Sequence, residues 1–204
     1  MIRVYWNRFP SVGEKKRKIE HETGRALLKF VLLREWGFDQ MPDVFTDRYG
    51  KPYLKDEQQL FFNITHCHDI AACVVGDIPL GIDAEYVRTV SKALMARILS
   101  ENEKRDFENL EEDIKRTRFI EYWTLKESYL KAKGIGIRIS PAEVEFSFEK
   151  TGKPICVDPE FFCQQYWLEE KCVISVCGAG DSQSIELKQV DYKELSQATV
   201  PVQM

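Results

Sequence analysis

The chain has 204 residues and a formal net charge of -4, with 44% hydrophobic, 30% charged and 12% aromatic residues. This composition is typical of a folded globular protein, and the length allows one large domain or two small ones that share a core. The acidic balance argues against a protein that coats nucleic acid, and no run of residues is long and apolar enough to span a membrane.

The N-terminus and the cysteines indicate a cytoplasmic location. The first residues, Met1 to Trp6, lack the apolar segment of a signal peptide. The six cysteines form no CxxC pair and mostly lie in apolar, strand-like sequence, which is typical of reduced and buried thiols. We therefore expect a cytoplasmic protein without disulfides.

The first part of the chain has the pattern of one long helix followed by strands. The helix is expected from about Gly13 to Trp36, because Gly37 would end it, and adjacent strands are expected at 61–65 and 70–75. A basic run at 14–18 lies near the start of this helix. Such a run is either a solvated helix face or a contact for a small phosphorylated ligand, and the sequence leaves both open.

The second part of the chain repeats this order. Ser100 and Glu103 form a capping box at the start of a short helix, and a long helix is expected from Glu111 to Lys133 with Gly134 as its stop. The expected strands are Val144 to Phe148, Gln165 to Leu168, Val173 to Cys177 and an edge strand at Ile185 to Val190.

Matches at a single offset of 102 residues reveal an internal duplication. The matched pairs are Gly50 to Pro52 with Gly152 to Pro154, Val74 to Gly76 with Val176 to Gly178, and Arg25 to Lys29 with Glu127 to Lys131. We therefore predict an α+β fold with a pseudo-two-fold duplication, in which each half packs a long helix on a small, mostly antiparallel sheet. The halves would be residues 1–80 and 81–204, with a ligand cleft between them.

Two acids occupy one face of a predicted strand at Leu80 to Glu85. Strand alternation turns Asp83 and Glu85 to one side and Ile82 and Ala84 to the other. Two carboxylates on one face suit a hard cation such as magnesium, which prefers oxygen ligands and substrate phosphates. An exposed edge strand with its polar residues outward is the alternative.

Three residues of the second long helix are spaced four apart and share one face. They are Trp123, Glu127 and Lys131. This face is either a surface acid and base beside a core tryptophan or part of a catalytic cleft. A third cluster, at 65–69, ends an apolar strand in Thr65 and His66, and a zinc site there is disfavoured because its ligands are crowded in sequence.

In this order, the motifs resemble the surfactin-synthetase-type branch of the 4′-phosphopantetheinyl transferase superfamily. Its first signature, G-[IV]-D-x-E, is present at 81–85, and its second, W-[ST]-x-K-E-[SA]-x-x-K, at 123–131. The likeness covers nearly the whole chain. It implies transfer of the 4′-phosphopantetheine group of coenzyme A to a serine of an apo acyl or peptidyl carrier protein, with 3′,5′-ADP as the second product.

The resemblance also implies the roles of individual residues. Asp83, Glu85 and Glu127 would hold magnesium, or manganese in its place, against the pyrophosphate of coenzyme A. Glu127, directly or through a water on the metal, would take the proton of the carrier serine, and Lys131 would stabilise the leaving 3′,5′-ADP. Asp83, Glu127 and Lys131 are thus the implied catalytic residues.

The coenzyme A contacts implied by the resemblance come mostly from the first half. Arg25 and His66 would bind the 3′-phosphate with Thr65 close by, while Lys51 and Pro52 would line the adenine pocket. The basic run would add phosphate contacts that are not assigned to one residue. The segment 96–99 and the helix after Ser100 would dock the carrier, and the protein is expected to be a monomer that binds neither nucleic acid nor membranes.

Two other functions remain open to test. A metal-dependent nuclease also needs spaced acids and a lysine, but its lysine usually shares a strand with an acid, and this chain lacks a basic stripe for a polynucleotide. A catalytically silent coenzyme A binder is the second alternative, although every catalytic position implied by the resemblance is occupied. The sequence does not specify whether the carrier serves fatty-acid, polyketide or nonribosomal-peptide synthesis.

Overall fold

The structure is a computed structural model that describes residues 1–10, 16–181, 183 and 185–199. Its α-helices are α1 (Lys16–Glu35), α2 (Lys92–Ile98), α3 (Glu101–Glu108), α4 (Glu112–Lys133) and α5 (Tyr192–Thr199). Its strands are β1 (Ile2–Arg8), β2 (Val44–Thr46), β3 (Pro52–Leu54), β4 (Phe61–Cys67), β5 (Ile70–Gly76), β6 (Leu80–Tyr86), β7 (Phe146–Phe148), β8 (Pro154–Cys156), β9 (Phe161–Leu168), β10 (Cys172–Ala179) and β11 (Leu187–Gln189). Two single 3-10 turns follow α4, at 136–138 and 141–143.

Two small sheets form the centre of the molecule. The first has the order β11-β1-β5-β4, in which β1 and β4 are antiparallel to β5 and β11 is parallel to β1. The second has the order β6-β10-β9 and is antiparallel throughout. The predicted α+β class with mostly antiparallel sheets is therefore confirmed.

The two halves have the same layout. The strands β2 and β3 recur as β7 and β8 at the offset of 102 residues. Gly50 and Gly152 occupy equivalent turns with φ of 85° and 84°, and their amides donate to Asp47 at 3.0 Å and to Glu149 at 2.9 Å. In both halves the middle strand of the repeat pairs with the first strand and with the strand that precedes it. The predicted duplication is thus present in the fold.

Strand alternation sorts the core into layers. One face of β1 and β5 packs against one face of β6 and β10, with Val4, Val74, Ile82 and Ile174 in a single buried cluster. The opposite face of the first sheet is covered by α1 and that of the second by α4. The order of layers is therefore helix, sheet, sheet, helix, and the two halves share a continuous apolar core.

Most predicted elements are confirmed, with changes at their ends. The capping box of Ser100 and Glu103 is formed, and Gly134 ends α4 in the left-handed conformation with φ of 67°. The strand predicted from Val144 is shorter and begins at Phe146, because the amide of Val144 donates to the carbonyl of Pro141 and caps the preceding 3-10 turn. Residues 11–15, where the first helix was predicted to begin, lie outside the described residues, as do the side chains of 16–18.

Several elements were not predicted. They are β1, the hairpin strands β2, β3 and β8 beside the two Gly-Lys-Pro turns, and the helices α2 and α5. The predicted edge strand near the C-terminus is present as β11, and it extends the sheet of the first half. Within the described part of the chain, no helix is long and apolar enough to cross a membrane.

Candidate active site

The two acids of β6 lie on the face that meets α4. Ile82 and Ala84 belong to the buried cluster between the sheets, so Asp83 and Glu85 point to the opposite side. Asp83 is buried and Glu85 is partly exposed. The alternation predicted from the sequence is therefore confirmed, and the acids belong to an interior strand face beside a helix.

Gly81 lets α4 lie directly on β6. A Cβ atom at this position would lie 2.0 Å from the carbonyl oxygen of Ser128 and 2.4 Å from the amide nitrogen of Ala132, both in the backbone of α4. Backbone atoms cannot move aside for a side chain as a flexible side chain can, so only glycine fits here. The close approach brings Glu127 and Lys131 over the strand that carries Asp83.

Asp83 has bonding partners from both halves of the chain. The Nζ atom of Lys131 lies 2.6 Å from its Oδ1 atom and also donates to the carbonyl of Ile82 at 3.1 Å. From β4 of the first half, the hydroxyl of Thr65 donates to the same Oδ1 atom at 3.3 Å. The Oδ2 atom of Asp83 is buried without a hydrogen-bond partner. Asp83 is therefore held in place and retains an unused acceptor.

The carboxylates repel one another. Burial raises the pKa of Glu127, Asp83 raises it further, and Lys131 lowers it. Burial likewise raises the pKa of Glu85, with Asp83 as the next cause and Arg88 opposing it. Excess negative charge in a partly buried place attracts a cation, because a cation removes the penalty of keeping the acids ionised.

The arrangement of these acids determines which kind of metal ion they can bind. In residues 1–10, 16–181, 183 and 185–199, no three His, Cys, Asp or Glu side chains converge closely enough to hold an ion between them. Magnesium does not need such a cage, because it usually binds one or two carboxylates and completes its shell with waters and substrate phosphates. The unpartnered Oδ2 of Asp83 and the raised pKa values of Glu85 and Glu127 fit an ion of this kind.

Lys51 joins the first half to the end of α4. Its Nζ atom donates to the carbonyl of Ala132 at 2.8 Å and to that of Leu80 at 3.3 Å. Cations at a helix C-terminus interact favourably with the carbonyls that have no intrahelical partner. Burial lowers the pKa of Lys51 to about 8. The ammonium group thus binds the backbone of the second half, which the sequence did not reveal.

A pocket of about 310 Å³ lies between the two halves. Glu127 and Lys131 line it from α4, and Asn63 lines it from β4. The Oδ1 atom of Asn63 accepts the amide of Ile82 at 3.0 Å, so it also fixes β4 against β6. The remaining lining comes from the Gly-Lys-Pro turn, namely Tyr49, Gly50, Lys51 and Pro52, and from the segment after α4, namely Gly134, Gly136, Ile139 and Pro141, with Leu130 of α4.

The structure separates the other predicted ligand contacts. His66 follows Thr65 on β4 but points outward, and its Nδ1 atom lies 3.9 Å from Glu20 of α1. Arg25 is exposed on α1, where it lines a different cavity of about 600 Å³ with Lys29 and residues of α5. Thr65, Lys51, Asp83, Glu127 and Lys131 are therefore brought together, and Arg25 lies on another surface.

Two features of the site were missed by sequence reasoning. Asn63 was not singled out, although a polar residue in an otherwise apolar strand is a signal for a buried hydrogen bond. Lys126, inside the second signature, was not considered at all. It is 0% exposed and its Nζ atom lies 2.6 Å from Glu103. The spacing of the two residues along the chain gave no sign of this pairing.

Comparisons with known proteins bear on the activity. The family model of the 4′-phosphopantetheinyl transferase superfamily matches residues 79–177. The chain is 26% identical over 198 residues to the 4′-phosphopantetheinyl transferase Sfp of Bacillus subtilis, covering 91% of this chain and 88% of that protein. It is 31% identical over 182 residues to the 4′-phosphopantetheinyl transferase HetI of Nostoc sp., covering 85% of this chain and 75% of that protein.

Solved structures also match part of the chain. A holo-(acyl-carrier-protein) synthase of Bacillus anthracis, crystallised in complex with CoA (3′,5′-ADP), matches with 26% identity and a TM-score of 0.44. The match covers 52% of this chain and 97% of that protein.

Proposed function

The chain belongs to the 4′-phosphopantetheinyl transferase superfamily, and we propose that it performs the family's reaction with magnesium bound where Asp83 of β6 adjoins the pocket lined by Glu127 and Lys131. The enzyme transfers the 4′-phosphopantetheine group of coenzyme A to a carrier protein. In the proposed form of the reaction the acceptor is a serine of an apo acyl or peptidyl carrier, and 3′,5′-ADP leaves.

One observation carries the choice of this pocket. Asp83 is bonded to Thr65 of the first half and to Lys131 of the second, at the place where Glu127 lines the pocket. A phosphoryl-transfer site needs charge neutralisation and positioned groups more than it needs a covalent catalyst. Acids of the second half meet cations of both halves here, namely Lys131 of α4 and Lys51 of the Gly-Lys-Pro turn.

We assign Asp83, Glu85 and Glu127 to the metal site, where one or two of the carboxylates would bind the ion directly and the others would hold its waters. The free Oδ2 of Asp83 and the raised pKa values of the two glutamates support this assignment. Magnesium, when bound, neutralises charge on the pyrophosphate and favours displacement at phosphorus. Manganese accepts the same oxygen ligands and would substitute for it.

We assign Glu127 to the proton of the acceptor serine. The serine oxygen forms a bond to the phosphorus that bears pantetheine, the bond from that phosphorus to the bridging oxygen breaks, and 3′,5′-ADP leaves. The serine proton goes to the carboxylate of Glu127, whose raised pKa makes it a stronger base than an ordinary glutamate. Lys131, already beside Asp83, would stabilise the charge that develops on the departing 3′,5′-ADP.

The remaining coenzyme A contacts are also proposals. Pro52 and the turn around Lys51 line the pocket and are assigned to the adenine. Thr65 and His66 at the end of β4 are assigned to the 3′-phosphate together with Arg25. Arg25 lines a different cavity in this structure. Its assignment therefore requires either that α1 moves or that coenzyme A extends from the pocket to Arg25.

The organisation of the protein follows from the duplication. We propose a monomer with a boundary between its halves near residues 80 and 81, where β6 begins. The C-terminal strand β11 nevertheless returns to the first sheet, so the two halves are interleaved at that edge. A cytoplasmic location remains a prediction.

The test is incubation of the protein with coenzyme A, magnesium chloride and a panel of apo carrier proteins. Mass spectrometry of each carrier should show the addition of one phosphopantetheine group, and the group should be absent when a chelator is in excess. A carrier whose mass never changes, although the protein binds coenzyme A, would instead support the silent binding module.

A further inference from the structure

A buried ion pair lies behind one wall of the pocket, on a different face of α4 from Glu127. The Nζ atom of Lys126 is 2.6 Å from the Oε2 atom of Glu103, and the two side chains are 0% and 1% exposed. Charged side chains are rarely buried to this extent unless they are paired. Lys126 directly precedes Glu127 in the chain. Glu127 faces the pocket, whereas Lys126 points to Glu103.

The polar atoms of the pair make further hydrogen bonds to the backbone. Lys126 also donates to the carbonyls of Pro141 at 2.9 Å and of Val144 at 2.6 Å. Glu103 accepts the amide of Ser100 at 2.8 Å and that of Phe146 at 3.0 Å. Three parts of the chain are thus joined at one point: the start of α3, the middle of α4 and the segment 141–146.

The physical cost of this arrangement indicates a role beyond stability. Both side chains are almost fully buried, so each charge has lost its water. Removing two charges from water costs several kcal/mol per ion, and an apolar pair of similar size often stabilises a fold as well or better. Unlike an apolar pair, the ion pair forms directional hydrogen bonds, and these fix the position of segment 141–146 relative to α3 and α4.

The segment held by the pair forms part of the pocket wall. Ile139 and Pro141 line the pocket together with Glu127, and the carbonyl of Pro141 is one of the groups bound by Lys126. A shift of this segment would change the shape of the pocket beside Glu127. It would leave the Gly-Lys-Pro turn of the other half in place, because that turn is bound to Ala132 and Leu80 by Lys51.

We propose that Lys126 and Glu103 are positioning residues, which fix the wall segment 139–146 against α4 so that the acceptor hydroxyl meets Glu127. This inference depends on the proposed transferase function. Neither residue of the pair lines the pocket. The effect of the pair is on the alignment of the reacting groups, where a misplacement of about 1 Å can cost about 10²-fold in rate.

The test is a double variant, Lys126→Met with Glu103→Leu, which replaces the buried charges by apolar groups of similar volume. We expect cooperative thermal unfolding, a Kd for coenzyme A within about threefold of the wild type, and a kcat for transfer lowered by about 10 to 10². The matched control is Lys188→Met, which removes an exposed ion pair with Glu186 on the edge of the first sheet and should change none of the three.

Glu103→Gln is the second variant, and it decides the outcome if the double variant does not fold. It keeps the shape of the side chain and removes its charge, so kcat should fall while the Kd for coenzyme A is retained. A folded variant with wild-type kcat, or one whose Kd rises by the same factor as kcat falls, would overturn the positioning role. If the wild type itself transfers nothing, the proposed function has failed instead.

Discussion

Gly81 of β6 lies against Ser128 of α4 so closely that a Cβ atom on the glycine would be 2.0 Å from the serine carbonyl oxygen. This contact sets the distance between the strand that carries Asp83 and the helix that carries Glu127 and Lys131. The glycine of the first signature therefore has a packing role, and the acids of the two signatures depend on it.

Gly81→Ala should separate α4 from β6. Overpacking typically costs about 1–3 kcal/mol, and the clash here is with backbone, so we expect a loss of stability at the upper end of that range and a larger loss of transfer. Thermal unfolding and carrier modification would measure the two effects. The control is Gly37→Ala, where the added Cβ meets nothing within 4 Å and only the left-handed backbone is strained. If the two variants lose stability and transfer activity to the same extent, the close approach of β6 to α4 at Gly81 is not important.

Lys51→Met should loosen the contact between the two halves. It leaves the carbonyls of Ala132 and Leu80 without their donor, and an unsatisfied buried polar group costs about 1–3 kcal/mol. We expect a lower free energy of unfolding in denaturant titration and a higher KM for coenzyme A. Lys153 is the matched control, because it occupies the same turn of the other repeat and is exposed. If Lys153→Met is as destabilising, the contact to α4 is not the cause.

Lys131→Met should shift the pH dependence of transfer. Burial and Asp83 raise the pKa of Glu127, and Lys131 is the cation that opposes them. Without that cation the pKa of Glu127 rises further, so a base that must be deprotonated becomes active only at higher pH. The acidic limb of the kcat profile should therefore move to higher pH. A limb that stays in place while kcat falls would mean that Lys131 acts on the leaving group alone.

The metal-free protein should lose stability as the acids ionise. Glu85 and Glu127 have pKa values raised mainly by burial, and a group of this kind stabilises the fold below its unfolded pKa and loses that contribution as pH rises through its folded pKa. Raising the pH from about 4 to 7 should thus remove this part of the stability, and magnesium should restore it at pH 7.

Glu127→Gln removes one of the repelling charges and should raise the Tm of the metal-free protein at pH 7. Each kcal/mol of relieved repulsion corresponds to about 2–4 °C for a protein of this size. Glu194→Gln, at an exposed position on α5, is the control and should leave the Tm unchanged. A lower Tm for Glu127→Gln than for the control would argue against repulsion among the acids.

Local patterns predicted the parts of the site that depend on one element at a time. The alternation along β6 predicted that Asp83 and Glu85 share one face of the strand. The spacing of four along α4 predicted that Glu127 and Lys131 share one face of the helix. The repeat predicted two halves with the same layout, since a duplicated sequence keeps its hydrophobic pattern. These properties are confirmed by the register of β6 and by the common strand order.

Contacts between distant segments were not predictable in the same way. The pairing of Lys126 with Glu103 and the binding of Lys51 to Ala132 depend on how helices and turns pack, and no periodicity records this. The hairpin strands β2, β3 and β8 have three residues each, which is too short for an alternation of hydrophobic residues to be recognised. Arg25 was aligned with Glu127 by the repeat, but its place on α1 leaves it on another surface.

Single-turnover transfer by Glu127→Gln is the most direct test of the proposed site. The variant should bind coenzyme A with nearly the wild-type Kd and transfer phosphopantetheine to the carrier about 10² to 10⁴ times more slowly in the presence of magnesium. Transfer at the wild-type rate by this variant would contradict the assignment of Glu127 and of the carboxylate site around it.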